Sequence, residues 1–298
     1  MSRKHIWILF TALAFGTMEI ALKKGGCAFN PLQLTFLRFA IGGLFLAPFA
    51  WADRRRRVAA GEAPLSRGDI AYCAMLGLVG IVGSMTLFQL SVQHSNANLA
   101  AVLISINPVF TMVFAHFVAG ERFTARKALV LAVCLAGLAL VAAPWKLAAG
   151  NSARGILYGL GASVAFGLYT ALSRRRIARI GGMAVNTLSF LIGSALELGV
   201  LLLRGDPVLA GIDRGSIGLL AYVSLVVTGF GYYSFMRAVE EAGASSASYA
   251  FFIKPPVAMV LAWLVLGEAI TWNIVLGIVL IVAAFVWNVR ATTHRKNP

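Results

Sequence analysis

Ile106-Asn107-Pro108, running on to Gly120-Glu121-Arg122-Phe123-Thr124, recurs 147 residues later as Ile253-Lys254-Pro255, running on to Gly267-Glu268-Ala269-Ile270-Thr271. Met112/Met259, Val113/Val260, Ala115/Ala262 and Val118/Val265 match between the two passages. Apolar matches of that kind arise easily by chance. The spacing does not: in both copies the Gly-Glu pair stands twelve and thirteen residues after the proline, and a threonine follows three residues after the glutamate. Upstream, Ala14-Phe15-Gly16 matches Ala165-Phe166-Gly167 at a shift of 151. The chain therefore reads as one unit written twice, over 1–146 and 147–298.

The composition says what kind of unit it is. Of the 298 residues 59% are apolar and 12% charged, against about 25% charged in a soluble domain. Exposing that much apolar surface to water is not viable. Ten segments approach the roughly 20 residues needed to cross a bilayer: about 5–23, 31–51, 70–92, 97–118, 126–143, 155–173, 184–203, 216–237, 244–266 and 272–289. The apolar run after Ser2-Arg3-Lys4 continues to about Leu22 without a small-residue cleavage site, so it reads as the first span and not as a cleaved leader. The fold expected is an all-α integral membrane protein. With five spans in each copy, the second copy must be inserted upside down.

The net charge of +15 raises the question of nucleic acid. The basic residues, however, stand in short clusters between apolar stretches, such as Arg54-Arg55-Arg56-Arg57 and Arg174-Arg175-Arg176. That is loop anchoring, and nucleic acid is not expected as a partner. With the N-terminus inside, the cytoplasmic segments hold 18 basic residues and the outer ones six. Both termini are expected in the cytoplasm, and the chain in the plasma membrane, the inner membrane of a bacterium. Cys27, Cys73 and Cys134 form no CxxC pair and lie at no metal-ligand spacing, so neither disulfide framework nor metal is expected.

Inverted repeats are the architecture of secondary transporters, in which two related halves exchange conformations around a central site. The order of features resembles the drug/metabolite transporter superfamily, and within it the ten-helix EamA type. The features are Phe15-Gly16 in span one with Lys23 beyond it, Pro31 opening span two, Arg38 within it, and Pro followed by Gly-Glu in both fourth helices. The resemblance covers nearly the whole chain. It implies a basket of helices around a central cavity, spans five and ten at the periphery, and transport of amino acids, other metabolites or drugs.

Candidate site residues follow from what lipid does not tolerate. Lys254 stands ten positions into span nine, about 15 Å deep at 1.5 Å per residue. A charge there is costly and marks a functional site by default. It can attract a carboxylate or phosphate, or serve as a structural ion-pair member. Its repeat partner is the neutral Asn107. Pro255 and Pro256 deprive the carbonyls of Phe251 and Phe252 of their helical donors, and Pro108 does the same to Ile104; kinks at matching depth mark a site. Arg38 lies about 10 Å into span two. Glu19 and Glu197 are the intramembrane carboxylates: Glu19 is a partner for Arg38 or Lys23, and Glu197 a partner for Lys254, both able to tune coupling. Gln89, one turn from Gln93, adds polarity. Tyr233 and Phe251 stand for a set of span aromatics that includes Tyr169 and Tyr232. The Gly-Glu pairs read as helix terminators.

The expected function is secondary transport of a small metabolite such as an amino acid or related anionic or zwitterionic compound, in the export direction and by alternating access, with protons as the candidate coupling ion. No cofactor is expected. The partners are the substrate and the lipid bilayer, and the chain is expected to act as a monomer, with a dimer left open. A membrane-embedded enzyme and a passive channel are the alternatives. There is no GxxxxGK[ST], HExxH or GxSxG, and the four histidines are scattered.

Overall fold

The computed structural model describes residues 3–18, 21, 29–94, 97–142, 152–266 and 271–293. Glu19, Lys23, Cys27 and the Gly267-Glu268 pair lie outside the described residues. The described chain is helical, without strands, and forms ten segments. These are α1 (Arg3–Gly16), α2 (Pro31–Ala59), α3 (Arg67–His94), α4 (Ala97–Ser105 and Asn107–Ala119), α5 (Ala125–Ala142), α6 (Ala153–Ile180), α7 (Gly182–Arg204), α8 (Ser216–Ala242), α9 (Ala244–Ala247 and Ala250–Leu266) and α10 (Trp272–Thr293). Seven are long and apolar enough to cross a membrane; α1 and α10 carry shorter apolar helices, and α5 is an 18-residue helix.

Local chemistry sets the starts. Asn30 and Gln33 form a reciprocal capping box before α2, whose first residue is Pro31. Ser66 and Asp69 do the same for α3, and the Ser152 hydroxyl accepts from Gly155 N at the head of α6. The stops correct the expected boundaries. Arg54–Arg57 and Arg174–Arg176 are not loops: α2 runs on to Ala59 and α6 to Ile180. Both helices continue past their apolar windows because their arginines find partners there. Arg57 meets Asp53, Glu62 and Glu240 at 3.0–3.2 Å, and Arg176 and Arg179 meet the buried Asp69 at 3.2 and 3.0 Å. The break between α8 and α9 shrinks to Gly243, whose φ of 86° favours glycine. The end of the bundle carrying these arginines is called the basic end below.

The packing repeats between halves. α3 lies on α6 and α1 on α8; α4 lies on α6 and α1 on α9; α3 lies on α7 and α2 on α8. The remaining large pairings, α2 with α7 and α5 with α10, join equivalent helices. Phe39 of α2 and its repeat partner Phe190 of α7 meet edge to face at 4.7 Å, which places the pseudo-two-fold axis between them. Glycines let the related helices approach to the same degree. A Cβ on Gly16 would come within 2.7 Å of Val257, and one on Gly167 within 2.7 Å of Phe110, the repeat partner of Val257. α3 and α8 also share a π-helical stretch, Leu78–Met85 and Tyr222–Phe230. Such widened turns occur at functional sites.

The α3–α7 crossing gives a test of this packing. A Cβ at Gly77 would sit 2.7 Å from Ser189 O and 2.8 Å from Gly193 N, whereas Gly199 has nothing within 4 Å. Gly77→Ala should lower stability by about 1–3 kcal/mol through overpacking. Gly199→Ala should raise it by up to about 1 kcal/mol through helix propensity. Thermal unfolding of the two variants in detergent should move in opposite directions; equal shifts would contradict the crossing.

Candidate functional site

One cavity sits among the helices nearest the pseudo-axis. It is lined by Phe15 and Met18 of α1, Arg38 of α2, Met85 and Phe88 of α3, Ile104 of α4, Val227 and Tyr232 of α8, and Phe251 and Lys254 of α9. Its volume is about 30 Å³, room for a water molecule or two and too little for a metabolite.

Two cations face this space. Arg38 is 2% exposed. Its Nη1 donates to Met18 Sδ at 3.3 Å and its Nη2 to Met85 Sδ at 3.1 Å, and the guanidinium carbon lies 4.6 Å from the Phe39 ring centroid. Thioethers are weak acceptors, and the two of them hold the planar fork in direction. Lys254 is buried, with Nζ 6.0 Å from the Phe88 ring centroid, at the outer limit of a cation–π contact. Tyr232 donates to Met85 Sδ at 3.6 Å, near the limit for a sulfur acceptor. Behind the cations, Phe15, Phe166, Tyr232, Phe235 and Phe251 form a continuous aromatic cluster with centroid separations of 4.9–6.4 Å. The site offers positive charge inside an aromatic and thioether wall.

The sequence candidates divide by position. Arg38, Lys254 and Phe251 come together on the cavity. Asn107 does not line it: its Nδ2 donates at 2.7 Å to Ile104 O, the carbonyl that Pro108 cannot serve, so Asn107 repairs the break in α4. At the equivalent place in α9 stands Lys254, and the carbonyl that Pro255 cannot serve as donor is that of Phe251. Pro108 does sit at the interruption of α4, next to Ile106. Pro255 and Pro256 lie inside a continuous helix, and the interruption of α9 falls earlier, at Ser248–Tyr249. There Tyr249 N and Phe251 N bond three residues back, to Ser246 O and Ser248 O. Tyr233 points away from the cavity, against Trp7 and Phe230; Tyr232 takes the cavity position. Gln89 is buried next to the cavity wall, and its Nε2 has no hydrogen-bond partner among the described residues. Glu197 is fully buried and accepts from Thr86 Oγ1 at 2.9 Å; no ion pair joins it to Lys254.

Met18, Met85, Phe15 and Phe88 line the cavity and are not among the site candidates that the sequence offers. Apolar residues in a span carry no signal of their own. The signal available was the repeat, because Phe15 and Phe166, and Phe88 and Phe235, are equivalent pairs.

Comparison with known proteins gives the site its context. The model of the EamA-like transporter family matches the chain twice, over residues 2–143 and 153–290. The chain is 35% identical over 296 residues to an uncharacterized transporter of Clostridium kluyveri, covering 97% of this chain and 93% of that protein. It is 26% identical over 247 residues to a probable terminal-alkyne amino-acid exporter of Streptantibioticus cattleyicolor, covering 81% of each. A crystal structure of a protein 19% identical superposes over the full length of both chains with a TM-score of 0.79, which extends the likeness to the fold.

Proposed function

The chain belongs to the EamA-like transporter family, and from that membership we propose that it is a secondary carrier of a small anionic or zwitterionic metabolite, such as an amino acid, working outward by alternating access. The observation that carries this reading is the meeting of Arg38 and Lys254, from opposite halves of the chain, on one cavity. Buried cations of this kind attract a carboxylate or phosphate and exclude cations. The Phe251 carbonyl, deprived of its helical donor by Pro255, suits the ammonium of a zwitterion, and the aromatic wall suits an apolar body. The amino-acid exporter among its relatives supports the same class of cargo. The cavity is lined by helices of both repeats, which supports a carrier that works by exchanging the arrangements of its two halves. Glu197, buried against Thr86, is the candidate proton site for coupling.

The test is counterflow. Purified protein in liposomes loaded with unlabelled amino acids or carboxylates should accumulate the matching labelled compound transiently and saturably. Uptake without trans-stimulation would indicate a channel, and chemical conversion without movement an enzyme. The 18-to-6 distribution of basic residues orients the chain with its basic end in the cytoplasm. Reporter fusions at Arg55 and Lys296 should read cytoplasmic and one at Gly150 external; termini on opposite sides would overturn this topology.

A further inference from the structure

We infer that Tyr169, seated on Gly80 and backed by a latch of charged groups around Glu240, is the gate that closes the cavity toward the basic end. This rests on the alternating-access reading. The repeat carries the argument. Cavity residues Met18, Val227, Phe88 and Lys254 have as their equivalents in the other half Tyr169, Gly80, Phe235 and Asn107. The structure thus contains the same arrangement twice, once open as the cavity and once filled. In the filled copy Tyr169 takes the room: a Cβ on Gly80 would lie 2.5 Å from Tyr169 Cδ2. Tyr169 is 1% exposed, and Phe235 and Asn107 are fully buried.

A second observation points the same way. Between the cavity and the basic end, α4, α7 and α8 carry buried polar atoms with no hydrogen-bond partner among the described residues: Asn107 Oδ1, Asn186 Oδ1 and Nδ2, and Ser234 Oγ. Buried groups left unsatisfied call for an explanation. A surface that is hydrated in another state of the cycle supplies one.

The third observation is a set of charged contacts at the basic end. At the basic end Arg57 of α2 meets Glu240 of α8 at 3.2 Å, and Arg237 holds the same carboxylate at 2.9 Å. Arg174 of α6 donates to the last carbonyls of α8, Val239 O at 3.0 Å and Glu240 O at 2.7 Å. Three helices from both halves are tied there. Half-exposed pairs of this kind are individually weak, which suits a latch released once in each cycle.

The test reads opening without transport. In the purified full-length protein, the thiol introduced by Ser173→Cys is alkylated with a hydrophilic maleimide and followed peptide by peptide, with native Cys134, buried between α5 and α10, as the internal control. Tyr169→Ala should raise the rate at position 173 by about tenfold or more, and Glu240→Gln by roughly threefold, as the open population grows. Cys134 should stay unreactive. If Tyr169→Ala also exposes Cys134, the variant is loosened as a whole and Glu240→Gln, at the rim, decides alone. Unchanged rates at position 173 in Glu240→Gln overturn the gate. Absence of counterflow in the unmodified protein, with the rates in the variants rising as expected, counts against the carrier reading and leaves the closure at Tyr169 standing.

Discussion

Lys254→Met should abolish counterflow at equal membrane levels, and Lys254→Arg should retain it only in part. Methionine keeps the length and apolar bulk of the lysine stem, so α9 keeps its packing and its contact with Gly16 of α1, which involves the Lys254 carbonyl and not the side chain. What is lost is the ammonium near the Phe88 ring. If that cation meets a substrate carboxylate in a site closed to water, the attraction is not screened as it would be at a surface. A fall of about a hundredfold in transport, equivalent to about 2.7 kcal/mol of lost stabilisation, is the expected size. Arginine keeps the charge but is bulkier and planar, and it does not reproduce the geometry of a compact ammonium. Counterflow measured from about pH 5 to 8, the window in which histidine and perturbed groups titrate, decides the matter. Unchanged transport by Lys254→Met across that range removes Lys254 from the mechanism and leaves it a structural residue.

The fold was legible because its signals are redundant. The Pro108/Pro255 and Glu121/Glu268 spacing announces a repeat, the apolar spans announce a membrane, and five spans per copy force inversion. Each is a statement about many residues at once. The errors lay where one signal stood alone. A run of four arginines reads as a loop, yet Arg54–Arg57 is helical because Asp53, Glu62 and Glu240 offer partners along that face of α2. Hydropathy sees the charge and not its partner. The Gly120-Glu121 pair reads as a terminator, and Gly120 does cap its helix with φ of 66°. Glu121, however, also reaches across to the other half and accepts from Ala244 N at 2.6 Å and Ser245 N at 3.2 Å, at the start of α9. Nothing in the spacing shows that contact.

The site was legible only in its charges. Arg38 and Lys254 stand out because lipid penalises them wherever they point. Tyr233 and Tyr232 are neighbours, and which of them faces inward depends on the phase of α8, shifted here by its π-helical stretch at Tyr222–Phe230. An ideal helical wheel drawn through that segment accumulates error turn by turn. Asn107 is a polar residue at the right depth, but its side chain is taken by the Ile104 carbonyl; the proline that made the place look like a site also created the backbone group that claims the asparagine.

Arg38→Lys should raise the KM for counterflow about tenfold or more while the maximal rate falls less. The reason is the geometry of the fork. Arg38 reaches Met18 of α1 with Nη1 and Met85 of α3 with Nη2, so one planar group spans two helices and is fixed in direction while facing the cavity. A lysine carries the same charge on a flexible stem and bonds at a point; it cannot hold both sulfurs in one plane, nor offer two parallel N–H groups to a carboxylate. Charge is conserved, so long-range attraction survives and the defect appears as lost affinity. The fold should tolerate the change, since the group replaced is still a buried cation among the same thioethers and the Phe39 ring. If Arg38 served only as a structural ion-pair member, the signature would be the reverse: lowered thermal stability with an unaltered KM in the protein that remains folded. Measuring KM and the unfolding temperature on one preparation separates the two, and an unchanged KM removes Arg38 from substrate recognition.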